Sequence, residues 1–136
     1  MTWALASGWP AVLVALAAPG WFTFHTAYQD GLDALRRGDP ALASRAFARA
    51  IELEPTPGRQ VKTYGLNFLP TYHPYLRLAE ALLALGDLTG AERALDASER
   101  LGLEPAPERD ALKKRLRLAS QKPAPAAASP APDPVQ

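Results

Sequence analysis

At 136 residues the chain has room for one small domain with a modest core. A formal net charge of +1 gives no global field to draw in nucleic acid or a membrane surface. With no cysteine there is no disulfide, no thiol nucleophile, no Cys-ligated zinc and no acylated lipoprotein anchor.

No charged side chain precedes Asp30. Ala11 to Ala17 is a continuous apolar run, and Ala15-Leu16-Ala17 has the small-x-small form of a cleavage site. Three readings fit. The first is a signal peptide over residues 1–17, which implies an exported, periplasmic or extracellular chain. The second is an uncleaved membrane anchor, because Trp3 to Phe22 is about 20 residues, the length that spans a bilayer. The third is an ordinary N-terminal helix or a misplaced start codon. The missing Lys or Arg ahead of the run counts against the first. Abundant Ala, Leu and Arg with few Lys is a composition common in high-GC bacterial genomes.

The segment 24–55 reads as two amphipathic helices joined at Gly38-Asp39. Leu32 and Leu35, then Leu42, Ala46, Phe47, Ala50 and Ile51, recur at helical spacing. Gly38 suits the left-handed cap of the first helix, Asp39 the N-cap of the second, and Pro40 the first helical position. Pro55 and Pro57 stop the second helix. The layout returns around Gly86-Asp87, 48 residues later, where Ala91, Leu95, Ser98 and Ala79 stand in for Ala43, Phe47, Ala50 and Gly31. Internal self-similarity of this kind marks a helical-repeat architecture.

Gly31, Gly38-Asp39, Ala43, Phe47, Ala50 and Pro55 together resemble the tetratricopeptide repeat family. Its unit of about 34 residues carries a small residue in the first helix, a tight turn, alternating Ala and aromatic positions, and a closing Pro. Ala27 stands where the family has a large early residue. The resemblance implies an all-α fold: a short right-handed stack of two antiparallel helix hairpins plus a C-terminal capping helix. It covers a helical domain over 23–121, with repeats at 24–55 and 75–105.

Between the repeats, residues 56–74 hold an insertion of 14 residues beyond the family's unit. It carries Tyr64, Phe68 and Tyr72, with Arg59 and Lys62 before them. Two readings stand side by side: a partner-contact loop with aromatic anchors, or a segment folded back on the core. The second predicts an ordered, partly helical insertion with Tyr64, Phe68 and Tyr72 at least half buried. A last helix is predicted over 107–120, with a narrow stripe of Leu112, Leu116 and Ala119. From 122 to 136, Pro and Ala dominate and predict a disordered tail.

No catalytic arrangement stands out. There is no Gly-rich phosphate loop, no His-Glu-x-x-His and no Gly-x-Ser-x-Gly. The two histidines, His25 and His73, fall at one place in the repeat, a step apart, which is too far for two rings to share a metal unaided. The sequence thus gives no catalytic residue, no metal site and no cofactor, and no basic aromatic stripe for nucleic acid. What the resemblance implies is a non-catalytic module or scaffold that binds another protein or a peptide. The inner face would carry His25, Tyr28, Leu32, Arg36, His73, Leu76, Arg77, Glu80 and Leu83, with insertion contacts at Tyr64, Phe68 and Tyr72. Some members clamp a peptide carboxylate with paired Lys and Asn. Tyr28, Leu32, Leu76 and Glu80 occupy those places here and do not supply such a clamp. The alternative is a structural subunit that packs on a second copy of itself or on a membrane complex. Membrane association through the N-terminus belongs to the anchor reading.

Overall fold

The computed structural model describes residues 21–122. The N-terminal segment discussed above, up to residue 20, and the tail from residue 123 lie outside the described residues. Those described are mostly helical, 69% in five helices that pack on one another, with one small two-stranded sheet. In chain order they are α1 (Phe24–Arg37), α2 (Pro40–Leu53), β1 (Gly58–Lys62), β2 (Phe68–Tyr72), α3 (Pro74–Leu85), α4 (Leu88–Leu101) and α5 (Ala106–Gln121). Each helix packs on the next, and α3 also touches both α1 and α5.

The two helix hairpins are joined by the same device. Gly38 takes φ 79° and Gly86 φ 84°, a conformation that side chains disfavour. The following amides, Asp39 N–H and Asp87 N–H, then donate back to Ala34 O and Leu82 O. The same aspartates open the next helix, Asp39 accepting from Leu42 N–H at 3.1 Å and Asp87 from Gly90 N–H at 2.9 Å.

Within the first hairpin Phe47 is fully buried against Gly31. A Cβ on Gly31 would lie 2.6 Å from the Phe47 ring, so α1 and α2 approach as closely as they do because that carbon is absent. In the second hairpin Ala79 and Leu95 share a cluster with Leu76, Ala94 and Leu112. A smaller side chain on α4 thus accompanies the larger one on α3. Leu112 brings α5 onto this cluster, and Lys113 pairs with Glu99 to tie α5 to α4.

The expectation of a purely α-helical chain with a partly helical insertion is corrected by the sheet. Residues 58–72 form an antiparallel β-hairpin, with Val61 opposite Leu69 and Lys62 opposite Phe68. Pro70 and Gly65 oppose a helix here, while Val61, Thr63, Phe68, Thr71 and Tyr72 favour extended backbone. Gly65 at φ 58° and the Asn67 N–H bond to Tyr64 O make the turn. Gln60 takes φ 51° near the register position of Pro70, which has no N–H to give the ladder. The regular alternation breaks there, so Leu69 and Tyr72, three residues apart, both face the core. Tyr72 is fully buried, whereas Tyr64 and Phe68 remain 64% and 51% exposed, against the expectation that all three are at least half buried. They lie at and beside the turn, where Tyr64 meets the His25 ring of α1 and stays largely open to solvent.

Gly31→Ala tests the close approach. The new methyl has only ring atoms to displace, and overpacking of this kind costs about 1–3 kcal/mol. Chemical denaturation should show that loss with an unchanged m-value, whereas Ala79→Gly should cost only the ordinary helix penalty of about 1 kcal/mol plus a small cavity.

Candidate interaction surfaces

The side chains named from sequence for an inner binding face fall into two sets. Tyr28, His73 and Leu76 are buried, at 3%, 8% and 0% exposure. Tyr28 stacks edge-on to Phe47 and Tyr72, and its hydroxyl accepts the His73 N–H at 3.2 Å. These three are occupied within the fold. Leu32 and Leu83 are partly buried and pack against the two core clusters. Arg36 is exposed and paired with Asp33 on its own helix. Arg77 bridges Glu80 at 3.0 Å and Glu108 of α5 at 3.6 Å, so α5 occupies much of the ground on that side of α3. His25 lies against Tyr64 with ring centroids 5.5 Å apart, and its Nδ1 is buried without a hydrogen-bond partner.

Of the insertion residues, Tyr72 is structural. Its hydroxyl lies 2.9 Å from Ala50 O and 2.7 Å from Glu54 O, and its single proton serves one carbonyl at a time. Burial and the nearby Glu54 carboxylate push the phenol's pKa well above its ordinary value, so it remains a donor. Tyr64 and Phe68 are exposed at and beside the hairpin turn and are free to touch a partner.

An open groove lies elsewhere, between α2 and α4, with α3 beneath. It measures about 540 Å3. Ile51, Leu78 and Leu82 supply its apolar surface, and Arg45 and Arg93 stand on opposite walls. Neither arginine forms an ion pair among the described residues. A signal for it was present in the sequence. Ser44, Ala48 and Ile51 on α2, and Gly90, Ala94 and Ala97 on α4, repeat a spacing of four then three, which is a second helical stripe of mostly small residues.

The start of α3 is held by a carboxylate from another loop. His73 occupies the N-cap of α3 without a side-chain cap bond. Glu104, between α4 and α5 and only 5% exposed, accepts the Tyr75 N–H at 3.0 Å in its place. Burial raises the Glu104 pKa, against the opposing pull of hydrogen bonds from Ser98 and from the backbone of Tyr75 and Leu76. Its second oxygen, Oε1, has no partner within hydrogen-bond geometry in the folded chain, so burial outweighs the bonds. Burial lowers the His73 pKa, Glu108 opposes that shift, and Arg77 and Arg59 add to it.

Among the described residues no group of three or more His, Asp or Glu is placed to hold a metal ion, and no helix is long and apolar enough to cross a membrane. No protein-family model matches the chain, and no curated protein or solved structure matches it.

Glu104 and His73, both buried, give opposite pH slopes. Folded Glu104 keeps its proton above the ordinary value of 4.5, so its share of stability falls as pH rises from there through the raised folded pKa. Folded His73 resists protonation below 6.5, so its share falls as pH drops from there through the lowered folded pKa. Urea unfolding across pH should therefore show Glu104→Gln gaining on the parent as pH rises above 4.5, and His73→Gln gaining as pH falls below 6.5. Glu104→Ala, which leaves the Tyr75 N–H without its acceptor, should cost about 1–3 kcal/mol.

Proposed function

We propose that the chain is a non-catalytic protein-interaction module or scaffold of the tetratricopeptide repeat type, docking its partner in the groove between α2 and α4. The observation that carries this reading is the groove itself. It is open and mostly apolar, and it is built by three consecutive helices. Arg45 and Arg93 on its walls suit a helical or extended peptide with apolar anchors and an acidic side chain to meet them. The repeated Gly-Asp joints and the Gly31–Phe47 contact support the repeat assignment.

A photo-crosslinking residue at Ala48, which lines the groove and is exposed, tests the docking site in the native host. Ala48 should give one discrete adduct of higher mass, and the same residue placed at Lys114 on α5 should not. An adduct with a second copy of the chain would support the structural-subunit alternative. No adduct from Ala48, or equal adducts from both positions, would sink the groove.

A further inference from the structure

The end of the molecule formed by the start of α1 and the tip of the β-hairpin has a chemistry unlike the rest of the surface. Phe22, Tyr64, Leu66 and Phe68 are all open to solvent there, Phe22 at 83% and Leu66 at 93%. Phe22 and Tyr64 line one shallow groove of about 390 Å3 with Leu53 and Thr63. Leu66 lies within the turn that begins at Tyr64, and Phe68 pairs with Lys62 directly beyond it. Small monomeric proteins seldom leave large apolar side chains grouped in this way without a use for them.

The charges on the hairpin itself have one sign, while the acids Asp30, Glu52 and Glu54 stand on the helix side of the groove, by Trp21 and Leu53. Arg59 and Lys62 on β1 are exposed, and no acidic residue occurs between Glu54 and Glu80. Neither cation forms an ion pair among the described residues. The sequence leading to the patch is also distinctive, for nothing before Asp30 carries a side-chain charge. Trp21 fixes the point where that sequence joins the fold. Its ring is buried, its indole N–H donates to Asp30 at 2.8 Å, and its carbonyl accepts from Arg49 Nε at 3.3 Å. The uncharged, apolar leading sequence therefore reaches the fold one residue before Phe22, at the rim of the groove that Tyr64 shares.

Aromatic and aliphatic side chains on a hairpin that carries Lys and Arg and no acid suit the interface of a bilayer. The rings reach the acyl boundary and the cations stay with the phosphates. A protein surface would be met equally well by acids or by mixed charge, and it would not account for the uncharged sequence arriving at the same place. We propose that this end of the molecule, the hairpin tip together with Phe22, docks on the surface of an anionic lipid bilayer. The proposal is independent of the groove between α2 and α4.

Because the chain has no cysteine, Leu66→Cys in the full-length protein accepts a single environment-sensitive dye, and Asp110→Cys on α5 serves as the control. With vesicles of equal parts phosphatidylcholine and phosphatidylglycerol, the dye at position 66 should shift to the blue and be quenched by nitroxide-bearing lipid. The dye at position 110 should do neither. Arg59→Gln and Lys62→Gln should each weaken the vesicle titration of that shift about fivefold. A dye at position 66 that stays in water, whether or not the chain floats with the vesicles, overturns the proposal. So does a shift that appears without lipid as protein concentration rises, which would assign the patch to a second copy of the chain.

Discussion

The fold depends on the place where Tyr72 enters the C-terminal end of α2. A helix ends with carbonyls that have no partner inside it, and α2 ends in an extended Glu54 followed by Pro55, with no glycine cap to help. Ala50 O already accepts the Glu54 N–H, and the Tyr72 hydroxyl, 2.7 Å from Glu54 O and 2.9 Å from Ala50 O, offers its one proton to either carbonyl, while the Tyr75 hydroxyl donates to Pro55 O, 2.8 Å away. The Tyr72 ring meanwhile packs edge-on against Phe24 and Tyr28 of α1. One residue of the insertion thus ties together α1, the end of α2 and the start of α3. The hairpin is not an appendage to two helix pairs. It completes the junction between them.

The second junction uses a different solution to the same demand. At the start of α3 the unpaired groups are N–H rather than C=O, and the buried carboxylate of Glu104 meets them from the α4–α5 connection. Arg109 of α5 reaches back to Glu104 O and Ser98 Oγ, so α5 also holds the loop that presents the carboxylate. Aromatic hydroxyls close the first gap and a buried carboxyl closes the second. Glu104 and His73 thus place both of the opposing pH slopes at the start of α3.

Much of the helical framework was legible because its boundaries are written in residues with narrow conformational preferences. Gly38-Asp39-Pro40 and Gly86-Asp87 each specify a stop and a start, and the helices begin and end where those residues place them. The hairpin was not legible as such. Phe68 and Tyr72 are four apart and read as one face of a helix, and the break in alternation around Gln60 and Pro70 removes the period-two signal of a strand. The proposed inner face was legible only as positions on helices. That Tyr28 belongs to the core follows from Tyr72 leaning on it, a contact 44 residues away in sequence that no local pattern reveals. The open groove was written in the small residues of α2 and α4. Its floor required knowing that α3 lies beneath both.

Trp21 makes the junction of α1 and α2 visible to light. The chain has three tryptophans, and Trp3 and Trp9 belong to the leading sequence, so Trp21 is the one indole seated in the described fold. In a chain trimmed after Ala17 every photon of tryptophan emission would come from that single ring, held by Asp30 and covered by the first helix pair. Its wavelength would then report the integrity of the first repeat alone. Tyrosine absorbance would instead sum four rings, of which only Tyr72 and Tyr75 bond across the end of α2. The first helix pair thus carries an optical signal of its own.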